Sequence, residues 1–174
     1  LEKLMYDNFE KIGVVQHNDE ERAFAAELRK TFPPQSAVPG IGAHFNADIA
    51  ETVMEKTHDL TEPLNDFLMP YYSGTGFTAG STDVGDVSWL TPAAQIETAT
   101  WPSGMPLHTW QTVACGKSSI AYKGMLCAGK VMAASAIDLI EDPELLKAAR
   151  EEFKRRAKGG YTCPIEPETV PTAL

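Results

Sequence analysis

Four histidines, at positions 17, 44, 58 and 108, are the side chains best suited to hold a metal or move a proton near neutral pH. No two of them stand four residues apart, so the sequence contains no helical metal-binding pair. His17 reads as solvent-exposed beside a helix start, while His44 and His58 fall in weakly patterned stretches. His108 follows Gly104-Met105-Pro106-Leu107, a stiff turn after an expected strand, and precedes Thr109-Trp110. Loops at strand ends are where α/β folds present ligands. An imidazole placed there is either satisfied by a backbone carbonyl or serves as metal ligand or general acid.

The glycine-rich stretch SGTGFTAGSTDVG, residues 73–85, lacks the spacing and the lysine of a phosphate-binding loop. Asp83 and Asp86 at its end could serve a metal or orient a histidine, or each could close an Asx-turn. Cys115 is a conceivable nucleophile, but nothing marks its thiol as activated, and a buried structural cysteine is the favoured reading. The three cysteines form an odd set without C-x-x-C spacing, which suits reduced thiols in a cytoplasmic setting.

Helical spacing of Leu4, Met5, Phe9 and Ile12 predicts a first helix ending at Gly13. Asn18 and Glu21 form a capping-box pattern for a second, stopped by Pro33-Pro34. Ile49, Val53 and Met54 suggest a short helix in an otherwise weak region. Residues 73–85 are expected to be loop, and Leu90 to Thr100 a strand with Ile96, Thr98 and Thr100 on one side and Gln95 and Glu97 on the other. A long helix, capped by Ser118, should run from Ser119 to Ile140, with Gly124, Ala128, Gly129, Ala133 and Ala134 giving it a face that suits a sheet. Asp142-Pro143 opens a last helix to about Lys158, and Gly159-Gly160 closes it.

With 174 residues, 43% of them hydrophobic and 22% charged, the chain can bury one core. Its formal charge of −9 disfavours a nucleic-acid partner. Lys130 and Asp138 interrupt the most apolar run, Met125 to Ile140, so a membrane span is not expected.

The run Gly80-Ser81-Thr82-Asp83-Val84-Gly85-Asp86-Val87-Ser88-Trp89, followed by Pro106-Leu107-His108-Thr109-Trp110-Gln111 and then Ser119-Ile120-Ala121-Tyr122-Lys123-Gly124-Met125, resembles the C-terminal part of the M20 family of metal-dependent amidohydrolases, in its aminobenzoyl-glutamate utilization protein B branch. The resemblance implies an α/β fold, a mixed sheet flanked by helices of the zinc-peptidase type, with residues 1–174 following an inserted dimerisation or lid domain and 165–174 forming a flexible tail. It also implies a pair of zinc ions, with manganese an alternative. His108 matches the family's C-terminal histidine ligand and Asp83 the acidic residue that lines the site. Thr82, Asp86 and Trp110 become wall or supporting residues.

The sequence has one His-x-Asp, His17-Asn18-Asp19, but it and Glu20-Glu21 coincide with the capped start of the second helix, Glu151-Glu152 reads as solvated surface, and nothing else here supplies the family's upstream ligands. The resemblance thus implies the C-terminal portion of a hydrolase that cleaves N-acyl amino acids or dipeptide-like amides, inactive without an upstream half or a partner subunit, and homo-oligomeric when complete. Two other readings are a non-catalytic module that docks on a partner chain, and a small binding domain built on the glycine-rich loop.

Overall fold

The apolar spacing of the first dozen residues forms α1, Glu2–Ile12, in the computed structural model, which describes residues 1–33, 62–71 and 82–170. The capping box fixes the start of α2, Asp19–Arg29: the Asn18 side chain accepts from the Glu21 N–H and the Glu21 carboxylate accepts from the Asn18 N–H, each at 2.9 Å. The remaining helices are α3, Val84–Leu90; α4, Trp110–Gly116; α5, Ser119–Glu141; and α6, Pro143–Arg156. Ser118 caps α5 by accepting from Ala121 N–H, and Asp142 caps α6 by accepting from Glu144 N–H, with Pro143 in the first turn.

Ile120, Gly124, Cys127, Val131 and Ser135 recur every three or four residues along α5 and form its buried stripe. That stripe meets α1, where buried Asn8 donates to Ser135 Oγ at 3.2 Å and to Asp138 Oδ2 at 2.7 Å. A second centre of packing brings Ala25, Leu28 and Phe32 from the α2 end together with Leu64, Met105, Cys115 and Ile120. Arg22 pairs with Asp66 at 2.9 Å and Arg29 donates to the Glu62 carbonyl at 2.7 Å, so α2 clamps the segment that carries Leu64.

Among the described residues there is no β-strand, which corrects the expected α/β class with its mixed sheet: this part of the chain is all helical. Leu90 ends α3, Thr91 is extended, and residues 92–100 carry no helix or strand. Alternating exposure survives, with Ile96 and Thr98 half-buried and Gln95 and Glu97 exposed. The covered side faces a helix. Thr98 Oγ1 donates to the Gly124 carbonyl at 2.9 Å, and a Cβ at Gly124 would lie 2.3 Å from the Ala99 carbonyl oxygen. Alternation signals a half-buried extended chain, and a helix satisfies that condition as well as a neighbouring strand does.

The loop expected over 73–85 also needs correction at its end, since Val84 and Gly85 belong to α3. Residues 73–81 lie outside the described residues, as do the suggested helix around Ile49, Val53 and Met54 and the histidines at 44 and 58. No helix among the described residues is long and apolar enough to cross a membrane.

Candidate functional site around His108

Two buried anchors bracket His108. Upstream, Ser103 N–H donates to the Pro63 carbonyl at 3.0 Å, Ser103 Oγ bonds Asn65 Oδ1 at 2.8 Å, and Met105 enters the core. Downstream, buried Gln111 donates through Nε2 to both the carbonyl and the hydroxyl of Thr31 at 3.2 Å. Between them, Thr109 and Thr112 hydroxyls both bond the Pro106 carbonyl, at 3.0 and 3.1 Å, and fold the turn tightly into α4. That closure forces an unusual backbone on His108. Its φ is 59°, and it is the one non-glycine residue with positive φ among those described. Left-handed backbone is uncommon outside glycine, though histidine is enriched there. The side chain is left open to solvent: His108 is exposed, flanked by exposed Leu107 and Trp110.

Asp83 lies at the other motif, immediately before α3. Its carbonyl accepts from Val87 N–H at 3.2 Å, while its side chain makes no capping hydrogen bond and is exposed. An Asx-turn therefore does not occupy the Asp83 carboxylate, and the Thr82 hydroxyl accepts from Val84 N–H instead. Asp86 accepts from the Tyr161 hydroxyl, and the Tyr161 ring stacks on Trp89 at 6.3 Å and 15°. The bond to Asp86 pushes the Tyr161 phenol above its usual range, with desolvation and the Cys163 thiol acting in the same direction. No hydrogen bond or ion pair joins Asp83 to His108, and no group of three or more His, Cys, Asp or Glu among the described residues could hold a metal ion.

The other reactive side chains are structural. Cys115 is fully buried, its Sγ 3.4 Å from the Thr100 carbonyl, and burial pushes its thiol up against the opposing effect of Ser118. All three cysteines are free. His17, expected on the surface, is buried: its side chain is 0% exposed, and neither ring nitrogen has a hydrogen-bond partner. Lys123 of α5 ties down the residues around it, donating to the Gln16 carbonyl at 3.2 Å and to Glu21 Oε2 at 2.7 Å. Burial raises the Glu21 carboxyl, but the bonds from Lys123, Ser119 and the Asn18 backbone outweigh it and hold the pKa at about 2. Sequence pattern does not reveal this cluster, because Lys123 lies more than a hundred residues from Glu21 in the chain. Tyr161 is equally unmarked, apart from the Gly159-Gly160 pair before it.

Over 178 aligned residues, and 100% of its own length, the chain is 37% identical to a subunit of the p-aminobenzoyl-glutamate hydrolase of Escherichia coli (strain K12). The chain is a relative of that hydrolase component. It spans 36% of the relative's length. No protein-family model matches the chain, and no solved structure matches it. For this relative of a hydrolase component, the likeness first carried by the motifs around Asp83 and His108 extends along the whole chain.

Proposed function

We propose that the chain is the C-terminal portion of a metal-dependent amidohydrolase of the M20 type, acting on N-acyl amino acids or dipeptide-like amides, with p-aminobenzoyl-glutamate the substrate suggested by the relative's name. The observation that carries this reading is His108: a left-handed, exposed imidazole between two buried anchors, in a chain related throughout to a hydrolase component. Strain of this kind persists only where the surroundings impose it, and it clusters at functional sites.

His108 fits a metal in donor type and exposure, as one ligand of the three protein ligands usual at catalytic zinc. The remaining ligands would come from the rest of the polypeptide or from a partner subunit. When bound, zinc or manganese supplies Lewis-acid activation of the amide carbonyl and of the attacking water. His108 would ligate as neutral imidazole, and the Asp83 carboxylate would line the site and orient what binds there. The working form would be an oligomer in a reducing, cytoplasmic setting.

The test is amide hydrolysis by the full-length protein, together with any partner subunit, followed as release of p-aminobenzoate from p-aminobenzoyl-glutamate. Activity should vanish on chelation and return with zinc or manganese, and the 174-residue chain alone should neither hydrolyse the amide nor hold zinc tightly. Turnover that survives complete metal removal would overturn the reading. A non-catalytic docking module is the second reading, favoured by the exposed apolar side chains of α5. It predicts a stable complex in which His108 substitutions leave hydrolysis untouched.

A further inference from the structure

Helix α3 has only seven residues and buries none of them. Isolated helices shorter than about 12 residues are marginal in water, so a helix of this length needs support from outside itself. Among the described residues, the side-chain hydrogen bond and the ring contact that reach α3 from a distant part of the chain both come from Tyr161, whose hydroxyl donates to Asp86 while its ring stacks on Trp89. Asp86 and Trp89 stand three apart, one turn of helix, so a single tyrosine spans both. The path to that position is set by Gly159 and Gly160, with φ of 111° and 75°, which turn the chain away from α6 and back toward α3.

We propose that Tyr161 is a positioning residue: the segment after α6 straps α3 in place through Asp86 and Trp89, and so fixes Asp83, whose carbonyl is hydrogen-bonded into the first turn of that helix. The catalytic consequence rests on the hydrolase reading above, because it is there that the Asp83 carboxylate lines the site. The strap itself does not depend on that reading. Tyr161 touches neither Asp83 nor His108, so it acts through the orientation of α3.

Amide hydrogen exchange and steady-state kinetics on the full-length protein test the two parts separately. Tyr161→Phe keeps the ring and loses the hydrogen bond, and exchange at the α3 amides should quicken about 2- to 10-fold. Tyr161→Ala loses the stacking too and should add about another 2- to 10-fold, with exchange in α5 unchanged. Asp86→Ala combined with Tyr161→Phe should exchange no faster than Asp86→Ala alone. In kinetics, Tyr161→Ala should lower kcat, Tyr161→Phe should recover most of the loss, and the cost of Tyr161→Ala should disappear in an Asp83→Asn background. A merely structural tyrosine would cost the same in either background. Unchanged α3 exchange in Tyr161→Ala overturns the strap, and faster exchange with unaltered kcat overturns its role in positioning Asp83. If the unsubstituted protein hydrolyses no amide, the hydrolase reading falls, and exchange alone decides the strap.

Discussion

A left-handed backbone costs a non-glycine residue roughly 1–3 kcal/mol, so the turn at His108 holds a conformation that glycine would adopt more readily. His108→Gly should therefore melt at or above the temperature of the unsubstituted protein and, on the proposed hydrolase reading, abolish hydrolysis by the full-length protein; His108→Ala should abolish it too without the gain in stability. Near-normal turnover of either variant at saturating metal would remove His108 from the proposed metal site. Asp83→Asn should be milder, about 10- to 100-fold, because it keeps the shape and removes only the charge. A pH dependence of stability follows from the cluster under Lys123. Glu21, held at about 2 against an ordinary 4.5, contributes stability that is fully present above pH 4.5 and is lost as pH falls toward 2, up to about 3 kcal/mol. His17 is shifted the other way for its type: burial lowers it from 6.5, opposed by Glu21 and reinforced by Lys123 and Arg22. The unfolded chain then binds a proton that the folded chain refuses, so stability also declines as pH drops below 6.5. Denaturant melts across pH should show both windows, and His17→Leu should flatten the upper one alone.

At the scale of elements, the two glycines inside α5 make opposite predictions. A Cβ at Gly124 would meet the Ala99 carbonyl oxygen at 2.3 Å and the Thr100 methyl at 2.7 Å, whereas one at Gly129 would meet nothing within 4 Å. Gly124→Ala must push the segment around Ala99 off the helix and should destabilise by about 1–3 kcal/mol. Gly129→Ala should stabilise by about 0.5–1 kcal/mol, since it gains helix propensity at no steric cost. Equal thermal shifts for the pair would show that residues 98–100 do not pack there. The small-residue face was legible as a place of close approach, but α5 uses Gly124 for it and leaves Ala133 exposed. Helices α3 and α4, seven residues each, escaped pattern reading because a helix this short offers barely two turns of periodicity.

At the scale of the whole chain, α5 exposes Tyr122, Met125, Leu126, Met132, Ile137 and Ile140, the last at 80%. Contiguous apolar surface of this kind drives association unless something covers it. The formal charge of −9 opposes association through repulsion that salt screens. The 174-residue chain on its own should thus sediment as oligomers whose share grows with ionic strength. A monomer at every salt concentration would show that the α5 face is not adhesive.

What the residue order determined by itself was local. The capping box at Asn18 and Glu21, the Ser118 and Asp142 caps, the proline at the start of α6 and the span of α5 each depend on groups within a few residues of one another. The motifs around Asp83 and His108 were equally local, and they sufficed to anticipate the hydrolase relative. Only the tertiary structure decided what lies opposite. Period-two alternation over residues 91–100 says that one side of the chain is covered, and the covering element turned out to be α5 rather than a strand. His17 lies buried in a stretch that Lys123 of α5 ties down through the Gln16 carbonyl and Glu21, and the Asp86 carboxylate is engaged because Gly159 and Gly160 bring Tyr161 back. Short-range hydrogen bonds are written in the spacing of neighbours. The partner across a packed face is chosen by how the whole chain closes.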